Sequence, residues 1–245
     1  MEDKALLSTE VASGAEKAEL LIVIPAYNEA ENIERVVNHL TANFSQYDYV
    51  VVNDGSRDET AAICQRNGYN LLNLPVNLGL AGAFQAGLKY ADKYGYQYAV
   101  QLDGDGQHRP EYLESMIKKM EEGYDIVIGS RFVGEKKPFT MRMLGSNLIE
   151  MTIRFTTGVN IKDPTSGMRM FSKRMIREFA SGLNYGPEPD TVSYLIRQGA
   201  RVAEVPVIMD ERILGVSYLT PVNAMRYMLK MLISILLIQN FRKRR

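Results

Sequence analysis

The chain has a single cysteine, no excess of either charge and no long apolar run, and each shortage narrows what it can be. Cys64 alone forms no internal disulfide, so the fold must rest on its core. The 29 basic and 29 acidic side chains cancel. No overall field therefore draws the protein to nucleic acid, and attraction to phosphate or membrane must be local. The most apolar stretch, 231–238, covers eight residues and is interrupted by Ser234, far below the ~20 that a membrane span needs. The P-loop pattern GxxxxGK[ST] is absent, and the dinucleotide fingerprint GxGxxG is missing from the first strand end. Residues 1–18 show neither a basic n-region nor an apolar h-region; they read as a flexible tail, and the expected compartment is the cytoplasm.

What is present is a repeated unit. LLIVIP (20–25) is a short apolar run closed by proline, as a buried strand is, and Ile33, Val36, Val37 and Leu40 follow at helical spacing. YVVVND (49–54), NLLNLP (70–75) and YQYAVQLD (96–103) read as further strands, separated by helical stretches over 60–68 and 79–94. DIVIGSR (125–131) is another strand, 141–158 an apolar-rich helix, and 163–174 a turn leading into a strand or helix. A helix around 190–198 precedes 201–212, an edge-like strand because of Pro206. This alternation predicts an α/β fold whose mainly parallel central sheet is flanked by helices, with ligands at the carboxyl ends of the strands.

Those ends carry the polar clusters: PAYNE (25–29), NDGS (53–56), NLGLAGA (77–83) and DGDGQH (103–108). Turns favour Asn, Asp and Gly in any case, so each cluster alone has a plain structural reading. Together they outline a site. Asp103 and Asp105 sit on a glycine-containing loop that can aim two carboxylates at one point, with Gln107 adding a neutral oxygen. Hard oxygen ligands suit Mg²⁺ or Mn²⁺ shared with a phosphate. A calcium EF-hand is excluded because its sixth position is His108 rather than glycine and Pro110 interrupts it. Asp54 is placed to accept a base N–H, Glu29 to hold ribose or base, and Arg131 and Arg212 to offset charge on a departing diphosphate.

In this order and spacing, PAYNEAENI, VVNDGSRDET, NLGLAGAFQAGLKYA, LDGDGQHRPEYL, IGSRF, DPTSGMRMF and the late DER resemble the family 2 glycosyltransferases, and among them the polyprenyl-phosphate glycosyltransferases related to dolichyl-phosphate mannose synthase. The resemblance covers about residues 20–218. It implies a GT-A, Rossmann-like fold over 19–221, a nucleotide-diphosphate sugar donor and a divalent metal. By matching motif, Pro25, Tyr27, Glu29 and Asp54 would bind the nucleotide, Asp103, Asp105 and Gln107 the metal and diphosphate, and Arg131 and Arg212 the phosphates. Asp163 and Ser166 of DPTSG, with Glu188 and Asp190, would mark the acceptor or base region.

The acceptor sets the subtype. A sugar hydroxyl needs a general base near the anomeric carbon, whereas a lipid phosphate is already anionic and needs positioning. Pro189 separates Glu188 from Asp190 where hydroxyl-acceptor relatives carry adjacent Glu-Asp, which favours the phosphate. The expected reaction is inverting transfer of a hexose or N-acetylhexosamine, from a UDP-sugar, to undecaprenyl phosphate for cell-envelope glycosylation. Residues 222–245 read as an amphipathic helix with a polar stripe (Asn223, Arg226, Lys230, Ser234) and a basic tail, made for the inner face of the plasma membrane or a small membrane-protein partner. Homo-oligomerisation is compatible with this reading. Rival readings are a transferase to a sugar hydroxyl with Asp190 as base, a non-catalytic sugar-nucleotide scaffold, and a nucleotidyltransferase. The scaffold is disfavoured because nothing in the metal loop looks degraded.

Overall fold

The computed structural model describes residues 19–135, 137–138, 140–181, 186, 188–210 and 221–241. The tail 1–18, Arg212 and the basic residues 242–245 lie outside the described residues. The strands among them are β1 (Leu20–Ala26), β2 (Asp48–Asn53), β3 (Leu71–Asn73), β4 (Tyr98–Gln101), β5 (Ile126–Ser130), β6 (Arg169–Ser172) and β7 (Val202–Pro206). The α-helices are α1 (Ile33–Asn43), α2 (Thr60–Arg66), α3 (Gly79–Tyr94), α4 (Leu113–Glu121), α5 (Met141–Thr157), α6 (Lys173–Ser181), α7 (Pro189–Arg197) and α8 (Pro221–Leu236). The chain divides into two compact units. One comprises Met1–Glu111, Met168–Gly186 and Met209–Gly215, the other Tyr112–Gly167, Pro187–Ile208 and Val216–Arg245.

In the first unit β3, β2, β1 and β4 lie side by side in parallel, and β6 runs antiparallel beside β4. All seven residues of β1 are buried, as its unbroken apolar sequence requires of a central strand covered on both faces. Helix α3 covers it closely: a Cβ on Gly87 would stand 2.2 Å from Val23 Cγ1, so only a residue without a side chain fits. Phe84, Phe171 and Phe179 complete this core, with successive ring centroids 5.7 and 5.3 Å apart. Cys64 is buried in it, and burial pushes its thiol up to about 11, which leaves it unreactive at neutral pH.

Pro25 sits in a central strand without breaking the ladder. Asp54 N–H donates to Ala26 O on the β2 side, and Leu102 N–H to Val23 O on the β4 side, at 2.9 and 3.0 Å. Successive residues alternate between neighbours, so Pro25 turns toward β4, beyond the final β1–β4 pair, Val23↔Gln101. Its missing N–H therefore removes no ladder bond, and the two strands part there. At the opposite ends of the strands, Tyr96 donates its hydroxyl to Asp48 Oδ2 at 2.8 Å, and burial with this carboxylate raises the tyrosine's pKa.

In the second unit β5 and β7 pair in parallel from Ile126↔Val202 to Ser130↔Pro206, so Pro206 occupies the end of its strand. Helix α4 packs against this pair, and α5, α7 and α8 pack on one another. Helix α5 is capped by Thr140, whose side chain accepts the Met143 N–H, and is closed by Gly158 in the left-handed conformation. A Cβ on Gly145 would meet the Met228 side chain at 2.8 Å, which brings the axes of α5 and α8 close. The C-terminal helix is thus a packed member of this unit: Met231, Ser234 and Ile235 face inward. The polar stripe expected from the sequence is divided, with Arg226 and Lys230 exposed and Ser234 buried.

Candidate active site

Three strand ends of the first unit meet at the open edge. Asn28 takes a left-handed conformation (φ 55), and its N–H donates to Ser56 Oγ at 3.0 Å while its Oδ1 accepts the Arg57 N–H at 2.9 Å. Glu29 N–H donates to Thr60 Oγ1 and Ala30 N–H to Asp58 Oδ2. The Asn, Ser and Asp residues of PAYNE and NDGSRDET are therefore spent largely on joining the two loops. What they leave over is Asp54. It is buried, its Oδ1 accepts the Leu78 N–H at 2.6 Å, and its Oδ2 makes no hydrogen bond among the described residues. One oxygen is held and the other is open to a donor.

Gly55 makes this turn possible. Its φ is +63, and a Cβ there would lie 2.8 Å from the backbone of Val76 and Asn77. Gly55→Ala is expected to destabilise the fold by more than about 1 kcal/mol, since the clash adds to the left-handed strain. Urea denaturation would measure this, and an unchanged midpoint would contradict it.

The loop after β4 lies against PAYNE: a Cβ on Gly104 would stand 3.1 Å from the Pro25 carbonyl oxygen and 3.6 Å from Glu29 Cγ. Asp103 Oδ1 accepts from Gln101 Nε2 at 2.9 Å, and Asp103 N–H donates to His108 Nδ1 at 3.0 Å. With Nδ1 accepting, a neutral His108 carries its proton on Nε2, 3.6 Å from Asp103 Oδ2. His108 thus braces the backbone of Asp103 and lies beside its carboxylate. Asp105 is buried; its Oδ1 accepts the Gln107 N–H at 3.0 Å and its carbonyl accepts from Arg35 on α1 at 3.1 Å. No group of three or more His, Cys, Asp or Glu able to hold a metal occurs among the described residues. The donor set fits a hard cation that takes its remaining oxygens from a diphosphate and water, because two carboxylates do not close a shell by themselves.

Gln107, expected beside this pair as a ligand through its side-chain oxygen, uses its side-chain nitrogen and its backbone in the contacts it makes. Its Nε2 donates to Asp210 O at 3.3 Å and its carbonyl accepts the Asp210 N–H at 3.0 Å. Arg109 binds both Asp210 carboxylate oxygens through Nε at 2.9 Å, and this guanidinium holds the Asp210 carboxyl below the usual range. Neither Arg109 nor Asp210 is singled out by the sequence, although both stand inside its motifs, QHRPE and DER.

The second unit places the other candidates. Arg131, after β5, grips Asp163 through Nε at 2.7 Å and Nη2 at 2.8 Å, and its backbone N–H donates to the same carboxylate. Asp163 is wholly buried, so it neutralises much of the arginine's charge; Nη1 carries no hydrogen bond among the described residues. Ser166 Oγ donates to Gly129 O at 2.5 Å, and Glu204 accepts the N–H groups of Lys162 and Asp163. DPTSG is thus a brace for the end of β5. Asp190 is buried: its Oδ2 accepts from Ser234 at 2.6 Å, its Oδ1 accepts the Thr191 N–H at 2.8 Å, and Gln239 donates to its carbonyl. Glu188 accepts the Tyr227 hydroxyl. These contacts tie the start of α7 to the C-terminal helix.

A mainly parallel sheet with helices, carrying a carboxylate-rich loop at its open edge, is the GT-A glycosyltransferase fold. Glucosyl-3-phosphoglycerate synthase from Mycobacterium tuberculosis, solved with Mn²⁺, uridine diphosphate and glucosyl-3-phosphoglycerate, matches with a TM-score of 0.61 at 18% identity, over 90% of this chain and 79% of that one. Residues 21–179 match the family described as Glycosyl transferase family 2, and the chain belongs to that family. It is 31% identical over 223 residues to the polyprenol monophosphomannose synthase of Mycolicibacterium smegmatis, covering 86% of this chain and 84% of that one. It is also 31% identical over 210 residues to the undecaprenyl-phosphate mannosyltransferase of Micrococcus luteus, covering 81% and 86%.

Proposed function

We propose that this glycosyltransferase moves a hexose from a nucleotide-diphosphate sugar to a polyprenyl phosphate at a membrane surface, with inversion at the anomeric carbon. The observation that carries the reading is Asp190. As the candidate base for a hydroxyl acceptor it would need a carboxylate poised to take a proton. Instead both its oxygens receive hydrogen bonds, from Ser234 and Thr191, inside a buried helix contact. A phosphate acceptor needs no base, and two relatives bear names that state polyprenyl products or acceptors.

In this reading the open Oδ2 of Asp54 takes a base N–H, and Tyr27 and Glu29 line the same turn. Asp103 and Asp105 would hold Mg²⁺ or Mn²⁺, which when bound offsets charge on the leaving diphosphate. Arg131 and Arg212 are assigned to the phosphates by their motifs. UDP is the proposed nucleotide. The decisive assay supplies undecaprenyl phosphate in vesicles with labelled UDP- and GDP-sugars and Mg²⁺ or Mn²⁺, and reads label in the lipid phase. Label that enters only a hydroxyl acceptor would overturn the proposal.

The membrane assignment rests on α5 and α8. Leu144, Leu148, Met151 and Phe155 form an exposed stripe on α5, with Phe155 86% exposed, while Met225, Leu229, Ile233 and Leu236 form another on α8, continued by Leu237 just past its end. Arg154, Arg226 and Lys230 are exposed among them, as suits basic side chains that reach from an apolar interface to lipid phosphates. No helix among the described residues is long and apolar enough to cross a membrane. The triple substitution Leu148→Ser, Met151→Ser, Phe155→Ser is expected to weaken binding to anionic vesicles at least about tenfold, since each side chain gives up ~1 kcal/mol or more of apolar burial. Flotation assays would show it. Unchanged flotation would remove this face from the membrane.

A further inference from the structure

The least explained polar cluster in the first unit is the one around Asp210. Every polar group of this residue is used on the loop that carries Asp103 and Asp105: its N–H on Gln107 O, its carbonyl on Gln107 Nε2, its carboxylate on Arg109. Gln107 in turn donates its N–H to Asp105 Oδ1 at 3.0 Å, so the residue held by Asp210 also holds one of the two loop carboxylates. The loop begins at a strand end and crosses Gly104 and Gly106, the latter with φ +80. Glycine loosens such a loop, so its geometry needs external support. Arg35 supplies one support from α1, at the Asp105 carbonyl. Asp210 supplies the other.

The arginine and aspartate of this clasp are 41% and 43% exposed. An ion pair so open to water adds little to stability. Its geometry is nevertheless two-pronged and is joined by the two backbone-directed bonds of Gln107, which fixes direction as well as distance. A contact that contributes little to folding yet fixes the orientation of a ligand loop is suited to positioning.

We infer that Arg109 and Asp210 are positioning residues: the clasp between them sets the loop geometry in which Asp103 and Asp105 take a divalent cation and the donor diphosphate. This rests on the metal-dependent reading proposed above and adds two residues to it. Neither touches the cation; both act through Gln107 and the backbone of the loop. Outer partners of metal ligands commonly change affinity about 10- to 100-fold when removed.

The test is Mn²⁺ binding in the presence of UDP or GDP, followed by loss of the free-ion electron paramagnetic resonance signal, on Arg109→Ala, Asp210→Asn and the exchange variant Arg109→Asp with Asp210→Arg. The single variants are expected to bind Mn²⁺ about tenfold more weakly, with melting temperatures within a few degrees of the parent, and the exchange variant to recover at least part of that loss. Unaltered Mn²⁺ affinity in both single variants overturns the inference, as does a wild-type chain that takes up no Mn²⁺. A large drop in melting temperature in both, Asp210→Asn included, would assign the clasp to stability and overturn it as well. Failure of the wild-type chain to label polyprenyl phosphate would instead refute the acceptor reading alone, because the Mn²⁺ titration contains no acceptor.

Discussion

Asp105→Ala is expected to lower sugar transfer by on the order of 10²–10³, the scale on which loss of one preorganised group that stabilises a leaving charge is felt. The protein should stay folded. Asp105 accepts the Gln107 N–H within its own loop, and its carboxylate belongs to that loop rather than to the apolar core. The lost hydrogen bond costs about 1 kcal/mol, a shift of a few degrees in melting temperature for a chain of this size. Donor turnover in the presence of lipid acceptor, measured beside a thermal melt, separates the two effects. Full activity in a folded variant would mean that the loop after β4 does not hold the metal. Asp103→Ala should act similarly with a further consequence, since it also releases Gln101 and removes the carboxylate facing His108.

Asp163→Ala is expected to cause the largest loss of stability among single changes in the second unit. The carboxylate is fully buried and receives three hydrogen bonds from Arg131, one from its backbone and two from its guanidinium. Removing one member of a buried ion pair costs about 3–5 kcal/mol, because the remaining charge keeps its desolvation penalty without its partner. Arg131 is one-quarter exposed and can recover some hydration, so the lower end of that range, about 3 kcal/mol, is expected. That corresponds to a drop on the order of 10 °C in melting temperature. Asp163→Asn keeps one acceptor oxygen and should fall between the parent and the alanine variant. If thermal or urea unfolding shows Asp163→Ala as stable as the parent, the pair carries no structural weight, and Asp163 returns to the set of residues free to act on an acceptor.

The two outcomes would divide a set of acidic residues that look alike in sequence. Asp54, Asp103 and Asp105 stand at strand ends of the first unit with oxygens turned to the open edge or braced beside it. Asp163, Glu188, Asp190 and Glu204 are occupied in holding the second unit together. Motif matching assigns Asp163 and Asp190 to the acceptor region because they lie in the expected order along the chain. Their hydrogen bonds give them structural work.

The strands and helices that carry the site were legible from local pattern. Helix α3 occupies Gly79–Tyr94, the span read from the sequence, and β1 fills the apolar run 20–25 and ends one residue beyond it. The stretch 163–174 was open between strand and helix, and it contains both: β6 ends at Ser172 and α6 begins at Lys173. Short apolar runs do not distinguish the two by periodicity, and pairing with β4 decided this one. Helix α4 is not assigned from the sequence, because its Lys and Glu residues leave a narrow buried stripe of Leu113, Met116 and Met120.

Sequence by itself determined the alternation of strands and helices and the four polar loops that follow the first four strands, since these follow from periodicity and turn chemistry acting over a few residues. Tertiary structure alone decided which charges are spent. Arg131 meets Asp163 across 32 positions, Asp190 meets Ser234 across 44, and Arg109 meets Asp210 across 101. No local pattern encodes such partners: the residues are chosen by the packing of distant elements, and only after that packing does a carboxylate become either a buried brace or a group left open for a ligand.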